Sequence, residues 1–222
     1  MFISKYNYTT DADLIEYAAS LSLQSGKLED KLLHWDFGPL MNMSYQTEAQ
    51  NYLFSSEKVP FHWDGAFYRE PRKLLFLCLE SEGEGGETLF TDTEKIWESL
   101  SLEDQEKAKK VTMIYRTEKK AHYGGEIRVP LVQKHPVSGK FILRVAERVE
   151  TKLNPVELII EGIEDGEDFY QFLRKKLYSP QYMLAHQWER GDLLICDNFT
   201  YLHGRNPLNQ NLKRSFKRIQ IL

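Results

Sequence analysis

The segment VPFHWDGAF, residues 59–67, sets His62 and Asp64 two positions apart. In an extended chain that spacing puts both side chains on one face, where an imidazole and a carboxylate reach the same ion while Trp63 points the other way. Gly65 then permits a turn. A His-x-Asp pair also fits a surface pair, or a histidine bonded to its neighbour, so a third ligand has to be found. Six histidines are available. His135 precedes Pro136 and the Ser138-Gly139 turn and reads as a solvent-exposed hairpin residue. His122 sits in the loop-like KKAHYGG, His186 lies in a strand pattern, and His34, in LLHWDFG, is too far upstream for spacing to decide. His203 differs, because it follows a strand, a turn and a short return in GDLLICDNFTYLHGR.

Ten residues separate His203 from Arg214, and on the strand-like RSFKRIQIL the side chains of Arg214, Phe216 and Arg218 share one face. Such a row of cation, aromatic and cation is either the charged face of an edge strand or an anion clamp beside a metal. Two imidazoles and one carboxylate on one side of an ion leave three positions open. That arrangement suits non-haem Fe(II) and its oxygen chemistry, whereas zinc prefers a closed or singly open tetrahedron. An iron so held needs electrons to reduce dioxygen. A 2-oxo acid chelating through its C1 carboxylate and keto oxygen supplies them by decarboxylating, and its far carboxylate needs a bidentate cation. Arg214 is the candidate.

The elements that must position these groups are mostly strands. From Lys73 onward the chain is a series of short apolar or alternating runs: KLLFLCLE, ETLF, KVTMIYRTE, RVPLVQKH, KFILRV, QYMLAHQW, DLLICDN and RSFKRIQIL. Helical spacing appears over Thr10 to Leu23, over Glu94 to Lys110 with a break that Ser101 can cap, and over Asp165 to Leu177. Regular helices do not separate the strands, so a doubly wound parallel sheet is disfavoured. The expected class is mainly β with appended helices, a sandwich or jelly roll, in a single domain over 1–222. The acidic, Gly-rich stretch from Glu80 to Glu87 reads as an exposed loop. Residues 115–128 read as a polar insertion that is either a lid or a surface loop.

Composition narrows the partners. A chain of 222 residues with 41% hydrophobic content can bury a core as one large domain, and a net charge of −4 gives no overall basic field for nucleic acid or an anionic membrane. A small-molecule partner is favoured. The two cysteines, Cys78 and Cys196, each lie inside an apolar run and read as buried hydrophobes, which fits a reducing cytoplasm. No run approaches the ~18 apolar residues of a spanning helix, and no secretory pattern opens the chain, so a soluble cytoplasmic protein is expected.

Taken together, His62-Trp63-Asp64, the GGETLFTDT segment at Gly85 to Thr93, and His203 followed by Arg214 and Arg218 resemble the taurine dioxygenase/TfdA family of Fe(II)- and 2-oxoglutarate-dependent oxygenases. The likeness runs from about Asn51 to the last residue. It implies a double-stranded β-helix, or cupin-like jelly roll, with His62, Asp64 and His203 as iron ligands and with 2-oxoglutarate and dioxygen as cosubstrates. Thr88 and Arg214 would hold the distal carboxylate of 2-oxoglutarate, and Arg218 would lie near its C1 end or near an anionic group of the substrate. Within that family, HWDFGPLM at His34 to Met41, NYLFSSEKVPFHWDGAF at Asn51 to Phe67, and GDLLICDN with LHGRNPL are similar to PvcB-type isonitrile-biosynthesis dioxygenases. That likeness implies desaturation or oxidative decarboxylation of a tyrosine isonitrile, with His34, Gly65, Phe67 and Arg218 as substrate contacts and an aromatic pocket drawn from Tyr52, Phe61, Phe67 and Phe216. A taurine-like sulfonate or amino-acid hydroxylase is the alternative within the family. A cupin-like metal-binding module without turnover is the alternative outside it.

Overall fold

The computed structural model describes residues 1–44, 54–82, 85–118, 125–152, 155–209 and 213–222. A five-stranded antiparallel sheet has the order β1-β12-β4-β14-β2, from Phe2–Lys5, Asp192–Asp197, Lys73–Glu82, Lys213–Ile221 and Leu40–Ser44. A four-stranded antiparallel sheet has the order β11-β5-β13-β3, from Met183–His186, Thr88–Asp92, Tyr201–Arg205 and Val59–His62. A three-stranded sheet, β10 (Glu157–Glu161), β6 (Thr112–Thr117) and β7 (Gly125–Pro130), and a hairpin of β8 (Val132–Lys134) and β9 (Phe141–Leu143) complete the β structure.

The period of two divides the five-stranded sheet into two apolar faces. Leu74, Phe76 and Cys78 of β4, Leu194 and Cys196 of β12, and Phe216 of β14 pack inward against Phe90 of β5 and Trp188. Leu75, Leu77, Leu193, Ile219 and Ile221 point outward and are covered by helix α1 (Asp11–Ser20) through Leu14 and Ala18. Thr10 caps α1, its hydroxyl accepting from the Asp13 amide. The outer face of the four-stranded sheet, with Phe61, Trp63, Leu89 and Leu202, packs against the remaining strands and helices α3 (Thr93–Glu98), α4 (Leu102–Ala108) and α5 (Gly166–Leu177). A single turn, α2 (Leu28–Lys31), precedes the segment that carries His34.

The mainly β reading with appended helices therefore holds, and the break before Ser101 is real: its side chain caps α4. Both cysteines are free and buried in the inner layer, where burial pushes the Cys78 thiol up to about 11 and that of Cys196 up to about 12. Three expectations need correction. The RVPLVQKH run is two strands, divided at Leu131, whose amide bonds back to Val111. The acidic stretch is not all loop, because β4 continues to Glu82, paired with Lys213 of β14. His135 is not exposed: it is buried, its Nε2–H donates to the Asp197 carboxylate at 3.1 Å, and its Nδ1 accepts the amides of Val137 and Ser138. Of the polar insertion at 115–128, residues 119–124, with His122, lie outside the described residues.

Candidate active site

His62 ends β3 and His203 lies directly opposite it on β13, so antiparallel pairing brings the two imidazoles to a centroid separation of 4.2 Å. Asp64 arrives differently from the extended geometry expected. The strand stops at His62, and a turn over residues 64–67 swings the carboxylate in, with Oδ1 at 3.7 Å from His62 Nε2 and 3.6 Å from His203 Nε2. Gly65 makes the turn possible: its φ is +77°, and a Cβ there would stand 2.1 Å from the Arg69 carbonyl oxygen. Trp63 points to the other side, as expected, and packs in the outer core beneath the Arg144 guanidinium.

The turn is fixed by a buried polar network. Asn198 accepts the Asp64 amide at 2.9 Å and donates to the carbonyls of Asp64 and Pro71. Arg144, fully buried between the rings of Trp63 and Phe199, donates to the Asn198 carbonyl and pairs with Glu70, which also accepts the Trp63 indole N–H. Asp64 thus divides its labour. Oδ1 faces both histidines, while Oδ2 accepts from Gln220 Nε2 at 2.7 Å and meets Arg218.

The three side chains offer ligand atoms that all lie within 4.8 Å of one another. His62 Nδ1–H donates to the Pro60 carbonyl at 2.9 Å, which leaves the Nε2 lone pair for a metal. Burial, and then the neighbouring His62, push the His203 pKa well down, so that this imidazole stays neutral. Two nitrogens and one carboxylate oxygen on one side of an ion, next to open cavities, fit divalent iron with free coordination positions.

Two cavities meet here. The smaller, about 60 Å³, lies between the sheets and is lined by His62, Thr88, His203, Arg214, Phe216 and Arg218 among others. Arg214, Phe216 and Arg218 share a face as expected, but β14 lies between β4 and β2, which disposes of the edge-strand alternative. Arg214 lies over the Phe216 ring and donates to the Gly86 carbonyl and the Thr88 hydroxyl. Gly86 leaves room for it, since a Cβ there would come within 2.8 Å of Arg214 Nη1. Burial, and then the charge of Arg205, lower the Arg214 pKa to about 9, and among the described residues no carboxylate lies within ion-pair distance of it. A cation that stays protonated at neutral pH in such a place calls for an anionic ligand.

Thr88 is set up as the second donor. Its hydroxyl oxygen accepts from the Trp188 indole N–H at 2.8 Å and from Arg214 Nη2 at 3.2 Å, neither of which can accept in return. Its own proton is left for an acceptor in the cavity. Trp188 packs in the inner layer and is also the group that orients Thr88.

The larger cleft, about 870 Å³, contains His34, Gly65, Phe67 and Arg218, the four substrate contacts expected from sequence, with Trp35, Phe37, Tyr68 and Gln220. His62 and Arg218 line both cavities, so the triad stands at their junction. The expected aromatic pocket is redistributed: Phe67 lines the cleft, Phe216 lines the inner cavity, Phe61 is in the outer core and Tyr52 lies outside the described residues. Trp35, Phe37 and Tyr68 take their place. Gln220 was the findable omission, since it continues the inward period of Arg214, Phe216 and Arg218 on β14.

Residues 7–220 match the family model "Taurine catabolism dioxygenase TauD, TfdA family". The chain is 44% identical to 3-((Z)-2-isocyanoethenyl)-1H-indole synthase of Fischerella ambigua over 200 residues, 86% of this chain and 73% of that protein. It is 32% identical to tyrosine isonitrile desaturase of Pseudomonas aeruginosa, again over 86% of this chain and over 68% of the relative. A solved structure of PvcB, described as an Fe, alpha-ketoglutarate dependent oxygenase from an isonitrile synthetic pathway, superposes with a TM-score of 0.75 at 26% identity, covering 96% of this chain and 72% of that one. Among the described residues no helix is long and apolar enough to cross a membrane. The chain belongs to the TauD/TfdA family and is an Fe(II)- and 2-oxoglutarate-dependent dioxygenase.

Proposed function

We propose that this dioxygenase acts on the isonitrile of an aromatic amino acid, tyrosine in the first instance, and oxidises its Cα–Cβ bond by two electrons to a vinyl isonitrile, by loss either of one hydrogen from each carbon or of the Cβ hydrogen together with the carboxylate as carbon dioxide. The observation that carries the reading is the meeting of a tight anion cavity and a wide aromatic cleft at one His-Asp-His cluster, with Arg218 lining both. The indole isonitrile synthase and tyrosine isonitrile desaturase among the relatives support the substrate class.

In this reading the chain is one domain, and its two facing sheets are the halves of a double-stranded β-helix, or jelly roll. It works on a small molecule in the cytoplasm, with no part played by nucleic acid or a membrane. His62, Asp64 and His203 hold the iron. Thr88 and Arg214 hold the distal carboxylate of 2-oxoglutarate through one hydroxyl and one guanidinium donor. Arg218, steadied by Asp64, is the cation that meets the substrate carboxylate or the C1 end of 2-oxoglutarate. His34, whose Nδ1–H is committed to the Leu32 carbonyl, lines the cleft with Gly65 and Phe67 beside Asp64. Bound iron, 2-oxoglutarate and dioxygen together supply a two-electron oxidation that leaves succinate, carbon dioxide and water. The protein's part is to place both carboxylates and keep the Cα–Cβ bond beside the metal.

The test is to add tyrosine isonitrile acid, a taurine-like sulfonate and free tyrosine separately to the Fe(II)·2-oxoglutarate protein in air. The expected result is succinate release stimulated by the isonitrile acid alone, in step with a new vinyl isonitrile. Stimulation by the sulfonate or free tyrosine, or none by the isonitrile acid, refutes the proposal.

A further inference from the structure

The cleft carries an aromatic shelf that metal and cosubstrate binding leave unused. Residues 35–38 form a tight turn, the Trp35 and Gly38 amides each bonding to the other's carbonyl, and its side chains line the cleft together with those of the Asp64 turn. The rings of Trp35 and Phe37 are 6.4 Å apart and within 16° of parallel, and that of Tyr68 lies 6.2 Å from Trp35. Phe37 is 62% exposed and Tyr68 58%, although both are large apolar side chains. Trp35 is also tied to the metal site. Its indole N–H donates to Gln220 Oε1 at 3.1 Å, and Gln220 Nε2 donates to Asp64 Oδ2 at 2.7 Å.

Resting on the isonitrile reading above, we infer that Trp35, Phe37 and Tyr68 are the arene subsite, and that Trp35, held at a fixed distance from Asp64 by Gln220, makes the enzyme select aryl over alkyl side chains. Two hydrogen bonds and one amide in series keep the indole nitrogen within about 8 Å of Asp64 Oδ2. Arg218 meets the same carboxylate oxygen. A substrate with its carboxylate on Arg218 and its ring on the shelf is therefore gripped at two points that share one reference. In an arylalanine skeleton Cα and Cβ are the only atoms between carboxylate and ring, so this grip sets the bond to be oxidised beside the metal. A flat ring also finds the offset or edge geometry that aromatic side chains favour, and a branched alkyl group does not. The side-chain amide of Gln220 cannot flip without presenting its oxygen to the Asp64 carboxylate and its NH2 to the indole N–H, so the indole N–H has a single register in which to bond.

The experiment titrates the anaerobic Fe(II)·2-oxoglutarate protein with tyrosine isonitrile acid and, separately, valine isonitrile acid, following the shift of the visible iron absorption. In the unmodified protein the aryl acid is expected to bind about tenfold more tightly than the alkyl acid. Trp35→Leu is expected to weaken the aryl acid about tenfold and leave 2-oxoglutarate affinity unchanged, which brings the two acids together, while Trp35→Phe retains most of the preference. Phe37→Ser and Tyr68→Ser, at largely exposed positions, should each weaken the aryl acid alone by about threefold, which keeps the test decisive if Trp35→Leu does not fold. An unmodified protein that responds to neither acid refutes the isonitrile reading itself. An unmodified protein that prefers the aryl acid, with the same preference surviving in Trp35→Leu or in both serine variants, refutes the shelf alone.

Discussion

Thr88→Val removes a hydroxyl and keeps the shape, and the structure says what that hydroxyl does. Its oxygen accepts from Trp188 at 2.8 Å and from Arg214 at 3.2 Å, and both partners are pure donors, so the hydroxyl proton is available only to a ligand. Against the far carboxylate of 2-oxoglutarate that bond is charge-assisted and buried, worth about 1.5–3 kcal/mol, or roughly 10- to 150-fold in affinity. Trp188→Phe keeps a ring in the inner layer with Phe76 and Phe216 but releases the hydroxyl to rotate, and should cost roughly 2- to 10-fold. The assay is an anaerobic titration of the Fe(II) protein with 2-oxoglutarate, repeated by calorimetry with N-oxalylglycine and Mn(II). Because the indole acts through Thr88, the double variant should bind 2-oxoglutarate no more weakly than Thr88→Val alone. Two losses that simply add would show that Trp188 and Thr88 act independently, and would refute the reasoning.

Arg214→Leu removes the buried cation and should weaken 2-oxoglutarate at least about 30-fold while leaving Mn(II) affinity within about threefold; an unchanged cosubstrate requirement would move the clamp elsewhere. Asn198→Ala unpairs the Asp64 amide and the carbonyls of Asp64 and Pro71, and is expected to cost about 2–4 kcal/mol in urea unfolding and about 10- to 100-fold in Mn(II) affinity. Full metal affinity in that variant would mean the turn holds its own shape. Glu70→Ala leaves the wholly buried Arg144 without its carboxylate and should cost about 2 kcal/mol, allowing for the 34% exposure of the Glu70 side chain; adding Arg144→Met should recover part of that loss in the same unfolding assay.

The His-Asp-His cluster was legible because the chemistry proposed for it restricts residue type and spacing together. His62, Asp64 and His203 could be named from a short spacing and a following row of cations. That His62 and His203 are cross-strand neighbours could not, because it depends on β3 pairing with β13 across most of the chain. Asp64 was identified for a partly wrong reason, since a turn and not a strand delivers it, and only the positive φ at Gly65 shows why. Residues that act by hydrogen bonding to ligands or donors were harder. Asn198, in a segment that reads as an ordinary turn, holds the Asp64 backbone; Gln220 carries no charge to draw notice; and Trp188 looks like any core tryptophan until its indole N–H is seen on Thr88. His135 misled because its local sequence is that of an exposed turn, whereas its partner, Asp197, is brought to it by the tertiary fold. The long apolar strands were readable from their runs, while β1 and β10, short and with exposed ends, had too little pattern to find.

The two cavities are built from different kinds of structure, and that division has a functional consequence. Thr88, Arg214 and Arg218, and with them His62 and His203, all stand on strands, so the positions of the proposed cosubstrate clamp and of two of the three proposed metal ligands are set by register and by the packed layer behind them. Trp35, Phe37, Phe67 and Tyr68 stand on the turns at 35–38 and 64–67 and on the residue just beyond, which can change in sequence without shifting any strand. A family built this way can keep one oxidation chemistry while altering what it oxidises. Gln220 and Arg218 reach across that boundary from β14, each joining Asp64 to the cleft. They are the positions at which a change of substrate would have to be reconciled with an unchanged metal site.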